Sequence, residues 1–460
     1  MGVEVKYQPT QETPQHSAPK ANAAEEVRPD FVPAYHFLSR DFLRRESDRL
    51  WPRVWQLACR EEELPTAGSF VTYDIADETI VVVRGKDASI RAFYNVCQHR
   101  GRRLTDGCGK MKLFRCGFHG WQWNLDGSVN KILDRENWEG CPDFSDEDLR
   151  LKPVRVASWA GFVFVTMDDE AEPLEQFLDP VPKYLDPFEL QAMRYRWYVS
   201  VKLKCNWKVA IEAFNEGYHV AGTHPQLLQG QGDDTSYTEI FGRHGRFWNP
   251  NPNRPFGAPS ARTGQPVPDD IRPGIIDYID LIDQTLSAIY SPRDAAAARR
   301  LMELDPATPP MECMLKLVEF QKEAAIASGA GWPDISIQQM FEAGLDWHIF
   351  PNMVILPYAD AALAYRALPH PDDPDRCTFE IYSLERYAPG AEPKLERQYF
   401  LGEDDWQHFS DVSAILQQDF SNMGEVQRGM KSRGFRGART NPVQESTVSN
   451  FHRTLLEFME

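Results

Sequence analysis

The chain has 460 residues, 42% hydrophobic, 12% aromatic and 26% charged, with a formal charge of −18. That is enough for two or three domains with sizeable cores. The acidic balance argues against nucleic acid or an anionic membrane surface as a main partner. No apolar run reaches the roughly 18–20 residues of a membrane span, and the first residues have no signal-type apolar core, so a cytoplasmic protein is expected. Residues 1–30, rich in Pro, Gln, Ala and Glu, read as a mobile leader. Of eight cysteines, Cys59, Cys205, Cys313 and Cys377 stand alone and read as packing residues.

In chain order, 36–60 repeats apolar positions at helical spacing up to Pro52 and then turns extended. SFVTYDI, TIVVVRG and SIRAFYNVC (69–97) read as strands, with GKDAS as a hairpin turn, and strands are also expected around FRCGFHGWQWN and GFVFVTMD. Residues 45–165 thus form a small antiparallel β domain. Helices are expected in 170–190, followed by a half-buried strand at 196–207 with Val199, Val201, Leu203 and Cys205 on one face. Asn206 caps a helix, WKVAIEAFNEGYHVAG, that Gly222 and Pro225 end. Residues 229–274 read as a long loop, followed by helices over 275–304 and 311–328, three β runs (WHIFPNMVIL, ALAYRAL, CTFEIYSLERY) and a helix over 404–432. Residues 31–44 and 166–460 form a second, α+β domain, and the two domains are expected to have separate cores.

Two arms, Cys97-Gln98-His99 and Cys116-Gly117-Phe118-His119, each offer one thiolate and one imidazole. A Rieske [2Fe–2S] centre needs two thiolates on one iron and two imidazoles on the other, and each arm can serve both. A structural zinc site is the competing reading, although zinc modules usually pair Cys with Cys and His with His at each arm. Further on, His219 and His224 lie five apart, which on a regular helix is roughly 140° past a full turn. Gly222 and Pro225 end the helix between them, so His224 can swing back beside His219. Such a pair lacks one carboxylate to make the 2-His-1-carboxylate triad of non-heme Fe(II) enzymes.

CQHRGRRL and CGFHGWQWNLDGSV closely resemble the Rieske motif of aromatic ring-hydroxylating oxygenase α subunits. The resemblance runs from about 36 to 455, apart from the variable stretch 229–345, which would line the substrate mouth. It implies a helix-grip (START/Bet v1-like) catalytic domain beside the Rieske domain, a ring of three α subunits with or without a β subunit, and Gly101, Gly117 and Gly120 as backbone approaches to the cluster. In ILQQDFSNMGEVQRGMKSRGF it places the carboxylate ligand at Asp419. Glu216, three residues before His219 and on the same helix face, stands where the family has a bridging Asp between the iron histidine and a neighbour's cluster histidine. Glu212 stands where many ring dioxygenases have Asn.

The implied function is the terminal component of a multicomponent oxygenase that puts oxygen from O₂ into a small, aromatic substrate. Without a dinucleotide fingerprint, electrons from NAD(P)H must come through a separate flavin reductase or ferredoxin. The alternatives are a mono-oxygenase or demethylase acting on a methoxyaromatic or methylated amine, a Rieske electron carrier, and a zinc-stabilised binding protein.

Overall fold

The structure, a computed structural model, describes residues 26–460 apart from 234 and 250–252. Most of the expected leader, residues 1–25, lies outside the described residues. Val32–Pro33 pairs with Gly437–Ala438, which joins segments about 400 residues apart. Helices Tyr35–Leu38 and Arg40–Arg45 and the turn Glu46–Leu50 follow, with Ser39 accepting from the amides of Asp41 and Phe42 at the second helix start.

A seven-stranded antiparallel sheet runs in the order Gln56–Arg60, Phe162–Thr166, Pro153–Trp159, Ile90–Tyr94, Glu78–Arg84, Ser69–Ile75 and Cys108–Lys110. The unbroken run Ile80-Val81-Val82-Val83 reflects burial on both faces. Ile80 and Val82 enter one core, while Val81 and Val83 enter another with Phe93, Phe114, Trp121 and Trp123. That second core supports three short strands, Phe114–Arg115, Gln122–Trp123 and Val129–Lys131. The first core continues into the rest of the molecule, so the expectation of two separate cores is corrected. The other face of this sheet carries residues apolar enough to bury against the larger domain. Arg366, paired with Glu380, reaches across to the carbonyl oxygens of Leu57 and Ala58.

The larger sheet has eight strands, in the order Tyr237–Phe241, His244–Trp248, Asp346–Ile349, Met353–Pro357, Ala361–Pro369, Cys377–Glu385, Arg194–Leu203 and Arg397–Phe400. All neighbours are antiparallel except the last pair, which is parallel. The expected 229–274 loop therefore contains a hairpin, turning at Gly242 with a φ of +58°. WHIFPNMVIL is likewise two strands. Helices Arg272–Thr285, Pro292–Ala298 and Pro310–Ala327 pack on their own small core of Ile275, Ile279, Leu301, Leu317 and Phe320.

Two helices carry the site. Trp207–Glu212 starts at Asn206, whose side chain accepts from the Lys208 amide and donates to the carbonyls of Phe37 and Pro374 at 2.9 and 2.8 Å. Asn206→Ala strips buried partners from all three groups. It should cost about 2–4 kcal/mol in a denaturant titration, beyond an ordinary cap. The expected continuous helix to Gly222 is broken after Glu212 and resumes only at Val220–Thr223. The Glu216 carboxylate accepts from the amides of Tyr218 and His219, competing with the helix ladder. Gly217 lies so close to the Tyr237–Trp248 hairpin that a Cβ there would sit 2.5 Å from Ser236 Oγ. The expected 404–432 helix is a 3₁₀ stretch, Asp405–Asp411, followed by Ala414–Met430 capped by Ser413.

Candidate metal centres

Cys97 and Cys116 sit on two loops with the same backbone bonds. Gly101 N donates to Cys97 O and Gly120 N to Cys116 O, both at 3.0 Å. Cys97 N donates to Arg102 O and Cys116 N to Trp121 O. Gly101 and Gly120 each have φ +72°, the left-handed turn that such a loop requires. Gly117 has no positive φ, and a Cβ there would press on the Arg102 guanidinium at 2.8 Å.

The loops bury both sulfurs, 3% and 1% exposed by residue, while His99 and His119 stay half-buried at the rim. Burial raises the Cys97 thiol. Burial also opposes ionisation of Cys116, yet the amides of Phe118 and His119 bring that thiol below its ordinary value. The two imidazoles point Nδ1 at Nδ1, 3.1 Å apart. Burial, then the neighbouring His119, lowers the pKa of His99. Two ligand atoms roughly 2.1 Å from one ion at right angles lie about 3 Å apart, so this spacing fits a shared metal. Trp121 stacks on His99 at 4.7 Å and 13°, closing one side of the site.

The second group lies where the broken helix meets Ala414–Met430. His219 Nδ1 donates to Glu216 Oε1 at 2.7 Å, and His224 Nδ1 donates to Gln418 Oε1 at 2.8 Å. Each ring thereby turns its Nε2 inward, where a bound ion would take the lone pair. Both Nε2 atoms face Asp419 Oδ1, at 3.5 Å from His219 and 2.9 Å from His224. Among the described residues this trio is a group able to hold a metal ion, with ligand atoms within 4.8 Å of one another. The His219 pKa rises to about 9. Burial lowers it, but the hydrogen bond and charge of Glu216 and the charge of Asp419 outweigh that. Glu216 and His219 meet as expected, though across a broken turn rather than along one helix face.

Sequence reasoning missed Gln418, whose only signal is its place beside Asp419. It also missed the partner of Glu212. Glu212 is 2.5 Å from His452 Nε2, and His452 Nδ1 is 2.8 Å from His36 Nδ1, so this carboxylate belongs to a buried chain of polar groups. Asp404 stands before the helix and pairs with Lys204.

A family model for the "Ring hydroxylating alpha subunit (catalytic domain)" matches residues 190–460, and one for the "Rieske [2Fe-2S] domain" matches 54–144. The chain belongs to the ring-hydroxylating α-subunit family. With the donor sets above, the two matches imply a Rieske [2Fe–2S] cluster and a mononuclear iron. The chain is 34% identical over 197 residues to the carnitine monooxygenase oxygenase subunit of Escherichia coli K12, covering 42% of this chain and 52% of that one. It is 34% identical over 219 residues to the glycine betaine monooxygenase oxygenase subunit of Chromohalobacter salexigens, covering 43% and 48%. The matched part spans about half the length of these relatives. The fold is similar to the crystal structure of the quaternary ammonium Rieske monooxygenase CntA with L-carnitine, with a TM-score of 0.61 at 18% identity over 94% of this chain and 97% of that one. No helix among the described residues is long and apolar enough to cross a membrane.

Proposed function

We propose that this member of the family is the terminal oxygenase of a Rieske mono-oxygenase that oxidises a methylated amine, with electrons from NAD(P)H supplied by a separate flavin reductase or ferredoxin. Cys97 and Cys116 would hold one iron of the cluster and His99 and His119 the other, while His219, His224 and Asp419 would hold the mononuclear iron. The observation that carries the reading is the convergence of two inward Nε2 atoms on one carboxylate oxygen, in a chain that also presents the paired Cys/His loops. An electron carrier needs no second site of this kind. The relatives' substrates, carnitine and glycine betaine, favour the amine over the aromatic compound that the sequence placed first.

Bound iron supplies O₂ activation and the cluster its electrons. The protein's own part is orientation and exclusion of water. Glu216 and Gln418 fix the two imidazole tautomers, and the Tyr365 ring, which feels the Asp419 charge, is backed by Phe214 at 4.3 Å, itself stacked on Phe379 at 5.2 Å. We assign 45–165 to the cluster domain and 31–44 with 166–460 to the catalytic domain. The latter is read as a helix-grip domain, because Leu416, Phe420 and Met423 of the long helix share a core with Val199, Val201 and Phe379 of the sheet. We infer a homotrimer from the family resemblance; Phe118 at 58% and Tyr218 at 51% exposure leave aromatic surface beside both centres.

Hydroxylating a carbon bonded to nitrogen leaves a carbinolamine that splits into an amine and an aldehyde. The reconstituted enzyme should therefore give equal amounts of amine and aldehyde from a tertiary or quaternary methylamine, with one oxygen of O₂ in the aldehyde. Turnover confined to aromatic rings, with no such products, would remove the amine reading.

A further inference from the structure

One carboxylate near the iron site has no role so far. Asp346 is 2% exposed, and its Oδ1 has no hydrogen-bond partner among the described residues. No lysine or arginine among them forms an ion pair with it. The charged group acting on it is Glu216, another acid, and burial and that neighbour both raise its pKa. A buried carboxylate left without compensation is costly, so its retention asks for a partner brought from outside.

The strand register shows where it points. His348 pairs with Val354 and Val354 with Tyr365, so Asp346, two residues before His348, shares the sheet face of Tyr365. The Tyr365 phenol feels the charges of both Asp419 and Asp346. Asp346 therefore lies on the iron side of the sheet, one aromatic ring away from the proposed ligand.

One phenol adjoins Asp346 and two more extend from it: the strand register sets Asp346 opposite Leu356, so Tyr358, two residues on, is its diagonal neighbour on the same face. Tyr358 feels the Asp346 charge, and Tyr290 meets the Tyr358 ring at 5.3 Å and 65°. Tyr278 acts electrostatically on Tyr290 and is acted on by Tyr358. Burial raises the pKa of all three, Tyr358 to about 12, yet each keeps accessible surface and no described residue hydrogen-bonds its hydroxyl.

A carboxylate at the end of a run of aromatic rings, with no basic group paired to it, suits a weakly hydrated organic cation. The ring faces attract the charge and the carboxylate neutralises it. We propose that Asp346, with Tyr278, Tyr290 and Tyr358, forms the seat for the cationic head of the substrate and selects an ammonium group over an uncharged group of the same shape. The inference deepens the methylated-amine reading and rests on it.

The test is equilibrium binding to the metal-loaded enzyme, without turnover, of choline and of 3,3-dimethylbutan-1-ol, its uncharged carbon isostere. The wild type should bind choline at least about tenfold tighter. Asp346→Asn should abolish most of that preference and leave affinity for the alcohol within about twofold, because shape and apolar contact are kept. Tyr358→Leu should weaken choline by roughly three- to tenfold, whereas Tyr358→Phe, which keeps the ring, should not. If Asp346→Asn yields no folded enzyme, the wild-type comparison and the two Tyr358 variants decide the matter. A wild type without preference for choline, or Asp346→Asn with the full preference, overturns the proposal. A retained preference in an enzyme that makes no amine and aldehyde would sink the reaction reading and leave the seat. Amine oxidation without any preference would do the reverse.

Discussion

His219→Ala, His224→Ala and Asp419→Ala should each give a folded protein with its cluster absorbance intact, about one iron fewer per chain, and no detectable turnover. The expectation follows from separation of the sites. The three side chains belong to the broken segment after Glu212 and to Ala414–Met430, while the cluster loops rest on the core of Phe93, Trp121 and Trp123. Losing one of three ligands also removes the acceptor or donor that orients the others, since Asp419 Oδ1 is shared by both rings. Gln418→Leu should be milder, lowering iron affinity or activity by roughly 10–100-fold, because it frees the His224 ring without removing a ligand. Iron analysis beside the visible spectrum checks each variant. Full iron in Asp419→Ala would move the carboxylate ligand elsewhere.

The second large effect is expected at Glu216. If its carboxylate links His219 to a cluster histidine of a neighbouring subunit, Glu216→Ala should keep both metals and a reducible cluster. Product in a single turnover should fall at or beyond the roughly hundredfold loss that follows removal of a carboxylate behind a ligand histidine. The structure adds a complication. Glu216 Oε2 also holds the amides of Tyr218 and His219, so Ala loosens the loop as well. Glu216→Gln separates the two roles. It keeps an oxygen for those amides but turns an NH2 group toward His219 Nδ1, so the charge-assisted bond to that ring is lost. Near-normal loop stability with slow electron delivery is the expected result. Co-expressed Cys97→Ser and His219→Ala chains should regain activity in mixed trimers, each supplying the centre the other lacks. Verified mixed trimers without activity would remove the route between subunits.

The parts of the fold readable from sequence were those with strong local signals. Runs such as SFVTYDI and TIVVVRG carry β-branched residues bounded by turn chemistry, and they form strands where expected. The Tyr237–Trp248 hairpin was hidden because Gly, Pro and Asn around it read as loop, and its pairing with Asp346–Ile349 is long-range. The break after Glu212 was hidden for another reason. Its causes, the Glu216 carboxylate turned on its own backbone and the hairpin pressed on Gly217, are one local and one tertiary, and together they outweigh helix periodicity. The Cys97/His99 and Cys116/His119 arms were legible because both donors of each arm lie within four residues. Gln418, His452 and Asp346 were not, since nothing in their spacing points to the groups they face. The joined core was equally invisible, because it depends on which face of the seven-stranded sheet meets the larger domain.

The most direct measurement is iron and acid-labile sulfide per chain in the purified protein, together with zinc. The two-centre assignment predicts about three irons and about two sulfides, with zinc absent or substoichiometric. One zinc per chain and no acid-labile sulfide would contradict it, because Cys97, His99, Cys116 and His119 would then be a structural zinc site and the electron route would have no origin.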